Sequence, residues 1–121
     1  MVRLLVVDDD PHVRELVAKL AYRLVGNAVE VVAAADAAEA LALQQAGPCD
    51  ALLTDYFMPE VDGPDLIRRL TFYQPKLRTL LMTGDATRVG QRIGPGNIPV
   101  RDKADLEAVV EEAVGLALEG L

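Results

Sequence analysis

Asp8, Asp9 and Asp10 stand in a row directly after the apolar run Leu4-Leu5-Val6-Val7, in a chain with one histidine and one cysteine. Adjacent carboxylates repel, and where a buried strand delivers them together that repulsion is usually offset by a cation. Mg²⁺ suits an oxygen-only set, because it is hard, keeps several waters and typically has its shell completed by a phosphate. The expected cofactor is therefore Mg²⁺ and the expected chemistry is phosphoryl chemistry.

Apolar runs of strand length alternate with segments of helical period, which predicts an α/β fold with a parallel sheet covered by helices. The strands read as Arg3 to Val7, Glu30 to Ala34, Ala51 to Thr54, Thr79 to Met82 and Ile98 to Val100, each a nearly continuous apolar run. Val13, Leu16, Val17, Leu20 and Leu24 form one stripe of a first helix, and Asp36 with Glu39 makes a capping pair for a second. Pro64 opens a third helix that turns Leu66, Ile67 and Leu70 inward. The final helix carries Leu106, Val109, Val110, Ala113, Val114 and Ala117 on one face. Gly90, Gly94, Pro95 and Gly96 interrupt the stretch after Thr83, so the fourth helix should be short or irregular.

Ligands of open parallel sheets bind outside the carboxyl ends of the strands. The first strand delivers Asp8 and Asp9 there, the third Asp55, the fourth Thr83, and Lys103 follows the fifth. A nucleophile, a cation for phosphate oxygens and positioned donors are what phosphoryl transfer needs, and this set supplies each.

The chain's 121 residues and 51% hydrophobic content suit one domain over residues 1–121. A net charge of −7 argues against direct nucleic-acid binding, which relies on clustered Lys and Arg. No run resembles a signal peptide or a membrane span, and with the unpaired Cys49 this predicts a cytoplasmic protein with no membrane partner.

The stretches Leu5-Val6-Val7-Asp8-Asp9-Asp10-Pro11, Asp55-Tyr56-Phe57-Met58-Pro59-Glu60-Val61-Asp62-Gly63 and Leu81-Met82-Thr83-Gly84 resemble those of receiver domains of two-component response regulators, in the same order and over the whole chain. The resemblance implies a doubly wound, flavodoxin-like sheet of five strands in the order 2-1-3-4-5 with helices on both faces. It implies that Asp55 takes the phosphoryl group from a phosphohistidine of a histidine kinase or phosphotransfer protein. Asp9 would bind Mg²⁺ directly and Asp8 through water, with Asp55 and the backbone carbonyl of Phe57 as further ligands. Thr83 would bind a phosphoryl oxygen, and Lys103 would pair with the phosphoryl group and an acid of the pocket. The domain would then catalyse only its own phosphorylation and dephosphorylation.

Simpler roles exist for several of these residues. Asp10 before Pro11 reads as a helix N-cap, Asp62 and Gly63 as turn and helix-start residues whose glycine tolerates the backbone angles, and Arg101 as a rival to Lys103 for the phosphate. His12 reads as an exposed residue of the first helical turn, and Cys49 as a small apolar residue. The chain also departs from the family pattern. Ala104 stands where proline usually follows the lysine, so a trans peptide and an altered loop are expected there. Val100 replaces the usual aromatic switch, and the glycine-rich segment after Thr83 resembles receivers of hybrid kinases and stand-alone relay proteins. Phe57, two residues beyond Asp55, should hinder attacking water and slow self-dephosphorylation. Two other readings remain: a receiver-like protein-interaction module with weak or no phosphorylation, and an aspartate-nucleophile phosphatase, which wants an acid where Phe57 stands. A homodimer through the final helix and the shortened fourth segment is a further candidate partnership.

Overall fold

The computed structural model describes residues 1–85 and 95–119. Five strands, β1 (Val2–Val7), β2 (Val29–Ala34), β3 (Ala51–Asp55), β4 (Arg78–Thr83) and β5 (Val100–Asp102), pair in parallel in the order β2-β1-β3-β4-β5. The described helices are α1 (Pro11–Val25), α2 (Ala37–Ala46), α3 (Gly63–Tyr73) and α4 (Leu106–Leu118). This is the doubly wound, flavodoxin-like arrangement expected from the resemblance.

The two-residue period of a strand divides each apolar run between two cores. Leu4, Val6, Leu53, Leu80 and Met82 pack against α1 and α4, whereas Leu5, Val7, Leu52 and Leu81 face α2 and α3. Complete burial of one such leucine stabilises the fold by about 1.5–3 kcal/mol relative to leaving it exposed. With both faces covered, only the ends of the strands remain to present polar groups.

The helix starts follow their sequence signals. The Asp10 carboxylate accepts from the His12 N–H at 2.9 Å ahead of Pro11, and the Asp62 carboxylate accepts from the Asp65 N–H at 2.9 Å. Asp36 accepts from the Glu39 N–H at 2.8 Å, while Glu39 reaches back one residue further than a standard capping box, to the Ala35 N–H at 3.2 Å. The inward faces of α3 and α4 are those expected, with Leu66, Ile67 and Leu70 buried on one and Val109, Val110, Ala113, Val114 and Ala117 on the other.

Two readings need correction. The buried stripe of α1 is Val17, Leu20 and Ala21, with Val13 partly buried against it, while Leu16 and Leu24 are exposed, because the helix is rotated toward α4. The fifth strand begins later than expected, at Val100 rather than Ile98. Pro99 has no N–H to give a ladder, so it contributes only its carbonyl, to the Leu81 N–H at 2.9 Å, and regular pairing starts after it. Of the segment expected to be short or irregular, residues 86–94 lie outside the described residues, and Pro95–Asn97 form a 3₁₀ turn with positive φ at Gly96 and Asn97.

Candidate functional site

The register brings the sequence candidates together step by step. Val7 pairs with Thr54, so Asp8 stands beside Asp55; Asp55 pairs with Met82, one residue before Thr83; and Thr83 pairs with Asp102, one residue before Lys103. This rim lies where β2 and β3 flank β1, the point at which strand order reverses and open α/β sheets bind ligands.

Asp8 is 0% exposed and every polar group it carries has a contact. Its N–H donates to the Ala34 carbonyl at 3.2 Å, its own carbonyl accepts from Nη1 of Arg14 at 2.8 Å, and Oδ1 accepts from the Asp10 N–H at 2.9 Å. Oδ2 lies 2.6 Å from Nζ of Lys103. Beyond this ion pair, Oδ2 has no further hydrogen-bond partner among the described residues, so this buried oxygen keeps acceptor capacity for a cation. Asp9 is exposed at the mouth.

Lys103 spans the pocket, with Nζ also 3.1 Å from Oδ2 of Asp55. It does so without the family's proline. A 3₁₀ turn over Lys103–Asp105, capped by the Asp102 carboxylate accepting from the Ala104 N–H at 2.9 Å, carries the lysine to the acids, and among the described residues no peptide bond is cis. Arg101 does not compete for this position. Its guanidinium binds Glu112 of α4 through two contacts, Nε at 2.8 Å and Nη2 at 3.1 Å. Thr83 is buried at the end of β4, where its Oγ1 accepts from the Asp85 N–H at 3.0 Å. Phe57 is half-buried with its ring tilted against Tyr56, 4.7 Å between centroids. His12 is exposed, and Cys49 is buried, with burial pushing its thiol pKa up, as befits a small apolar residue.

The charges of the site are unequally shared. Burial pushes the Asp55 carboxyl above its ordinary range; the Lys103 ammonium opposes that shift, Asp8 adds to it, and a hydrogen bond from the Phe57 backbone opposes it. Burial alone would lower the Lys103 pKa, but attraction to Asp8 and Asp55 outweighs it and the net shift is upward. The two directions are compatible because one ammonium answers to two carboxylates, whereas each carboxylate has only a share of the ammonium. For Lys103, a raised folded pKa means stability that is complete below the ordinary lysine value and lost as pH rises through the folded one. For Asp55 the raised value means that folding favours the protonated form. Its contribution is complete below the unfolded value near 3.8 and lost as pH rises through the folded value. In EDTA, Asp55→Asn should therefore be more stable than wild type at pH 7, with the advantage vanishing near about pH 4. Urea melts check this, and a variant equal to or weaker than wild type at pH 7 would contradict it.

One carboxylate oxygen from each of Asp8, Asp9 and Asp55 lies within 4.8 Å of the others, so this acidic cluster is able to hold a metal ion. The donors are all hard oxygens, and the unfilled capacity of the buried Asp8 Oδ2 fits Mg²⁺. Two features were not recognised in the sequence. Arg14 reaches the Asp8 carbonyl from α1, and nothing in its spacing distinguishes it from Lys19 or Arg23 on the same helix. Gly63 is required by contact and not by backbone angle, because a Cβ there would stand 2.3 Å from the Asp55 carbonyl oxygen.

The sequence matches the response regulator receiver domain family over residues 4–92. It is 36% identical over 86 residues to the response regulator receiver protein CpdR of Brucella abortus, a match covering 71% of this chain and 69% of CpdR. It is 40% identical over 82 residues to the response regulator MprA of Mycobacterium bovis, covering 68% of this chain and 34% of MprA, so that relative is much longer than the matched portion. Among solved structures, the signal receiver domain of the response regulator NarL from Mycobacterium tuberculosis superposes with a TM-score of 0.77 at 32% identity, over 99% of this chain and 98% of that one. The receiver domain of the hybrid histidine kinase CckA gives a TM-score of 0.73 at 27% identity, over 95% of this chain and 98% of that one. The family match spans both the acidic turn after β1 and the end of β3, which the sheet order brings to one rim, and the chain belongs to the response regulator receiver domain family.

Proposed function

We propose that Asp55 is the phosphoacceptor of this receiver, taking a phosphoryl group from a phosphohistidine on a histidine kinase or histidine phosphotransfer protein. The observation that carries this reading is the Asp55 carboxylate at the end of β3, with Lys103 Nζ 3.1 Å from it and Asp8 and Asp9 beside it. A carboxylate oxygen attacks phosphorus, the P–N bond to the imidazole breaks, the imidazole takes a proton as it leaves, and Asp55 carries a mixed anhydride. Lys103 balances charge on the phosphoryl oxygens, and Thr83 offers a hydroxyl at the same rim. Asp8, Asp9, Asp55 and the Phe57 carbonyl would hold Mg²⁺, which when bound neutralises the acids that otherwise repel an incoming phosphate.

The same geometry supports self-catalysed phosphorylation and dephosphorylation in place of turnover of small phosphate esters, since an aromatic ring and not an acid stands two residues after Asp55. The phosphoryl group is then passed on or alters partner binding. A cytoplasmic setting, no direct contact with nucleic acid or membrane, and self-association as a candidate output complete the reading.

Incubation with acetyl phosphate and Mg²⁺, followed by intact mass, tests it. One phosphoryl group should be gained by wild type and none by Asp55→Asn, and the shielding Phe57 ring should keep it in place for minutes or longer. No gain in wild type would favour an interaction module, release of phosphate from small esters a phosphatase, and a half-life of seconds would refute the shielding by Phe57.

A further inference from the structure

We propose that Arg14 is a positioning residue that sets the direction of Asp9, and through it the Mg²⁺ affinity of the acidic pocket. The inference rests on the reading above that Asp9 is a metal ligand.

Asp8 and Asp9 are controlled in different ways. The Asp8 carboxylate is locked by its own contacts, with the Asp10 N–H on Oδ1 and Lys103 on Oδ2. Among the described residues no hydrogen bond or ion pair holds the exposed Asp9 carboxylate, so the backbone that carries it decides where it points. That backbone is the planar peptide joining Asp8 to Asp9. Once its carbonyl direction is fixed, the bond leading to the Asp9 Cα is fixed as well. The carbonyl is held by Nη1 of Arg14 at 2.8 Å. Arg14 is itself anchored, because its N–H donates to the Asp10 carbonyl at 3.2 Å in the capped first turn of α1. The guanidinium thus ties the helix to the turn it follows and aims Asp9 at Asp8 and Asp55, where the three carboxylates converge.

The sign of the effect separates this role from simple electrostatics. Arg14 is a cation near a cation site, so a purely Coulombic residue would weaken Mg²⁺ binding and its removal would tighten it. A positioning residue does the opposite. Loss of groups that orient metal ligands typically costs about 10–100-fold in affinity.

Calorimetric titration with Mg²⁺ in phosphate-free buffer is the test, on the full chain and on Arg14→Met, Arg14→Lys, Asp9→Ala and the Asp9→Ala/Arg14→Met pair. Arg14→Met should bind about tenfold more weakly. Arg14→Lys should fall between it and wild type, because an ammonium supplies a donor without the planar fork. In the Asp9→Ala background the Arg14→Met change should cause no further weakening, since its effect runs through Asp9. Affinity unchanged or tightened in Arg14→Met, or equal weakening in both backgrounds, overturns the inference. Should Arg14→Met melt too early in EDTA to titrate, Arg14→Lys decides, and affinity at or above wild type is the overturning result. Wild-type affinity in Asp9→Ala, or no Mg²⁺ uptake by wild type, removes the metal reading itself and this inference with it.

Discussion

Lys103→Met is expected to slow phosphorylation of Asp55 by acetyl phosphate about 100-fold, the usual cost of removing one positioned donor from a developing anion. The reason is specific to this pocket. Among the described residues, Lys103 is the one cation in contact with both buried carboxylates, at 2.6 Å from Asp8 and 3.1 Å from Asp55, while Arg101 is committed to Glu112. The variant should also lose about 2 kcal/mol of stability in EDTA at pH 7, below the range for severing a fully buried pair because the lysine retains some solvent contact. That deficit should narrow as pH falls, since the unpaired Asp55 carboxyl, whose pKa burial already raises, escapes repulsion by protonation. Mg²⁺ affinity should rise, because a competing positive charge has gone. A phosphorylation rate within a few-fold of wild type would show that Lys103 does not serve the phosphoryl group.

Gly63→Ala is the substitution expected to cost the fold most, about 3 kcal/mol at the upper end of overpacking effects. A Cβ at this position would stand 2.3 Å from the Asp55 carbonyl oxygen, 2.8 Å from Cδ2 of Leu81 and 3.1 Å from the Tyr56 Cα. Two of those atoms are backbone, so relief requires moving the end of β3, and with it the acceptor, away from α3. The Gly63 N–H is also tied to the Tyr56 carbonyl at 2.9 Å, which leaves the helix start little freedom to retreat. Gly115→Ala provides the contrast. It lies within α4 with nothing inside 4 Å of its added Cβ, and alanine there should stabilise by about 0.5–1 kcal/mol through helix propensity. Paired urea melts check both, and a Gly63→Ala variant as stable as wild type would show that β3 and α3 separate easily.

Much of the fold and of the site's membership was legible because it depends on order and period. The apolar runs of β1, β3 and β4 end one residue or none from Asp8, Asp55 and Thr83, and parallel pairing then brings those ends to one rim without further information. Asp10, Asp36 and Asp62 identified helix starts because capping is local chemistry between residues two or three apart. What the string withheld was every contact that depends on how elements lean on each other. The rotation of α1 that exposes Leu16 and Leu24 is set by α4, some ninety residues away in sequence, and no period within α1 encodes it. Arg101 was a rival to Lys103 on paper, and the end of β5 at Asp102, which puts Lys103 in the following turn, together with the position of Glu112 separated them. Gly63 looked like a turn residue, but its role is to leave room for the Asp55 carbonyl. Arg14 gave no signal at all, because a guanidinium reaching a main-chain oxygen six residues earlier has no partner type to search for.

The central claim is that Asp55 carries the phosphoryl group. Borohydride reduction of the chain after acetyl phosphate treatment, followed by peptide mapping, tests it most directly, because an aspartyl phosphate is reduced to homoserine at the modified position. The expected result is homoserine at position 55, dependent on Mg²⁺ and absent from mock-treated chain. Homoserine at position 8 or 9 with Asp55 intact would contradict the account.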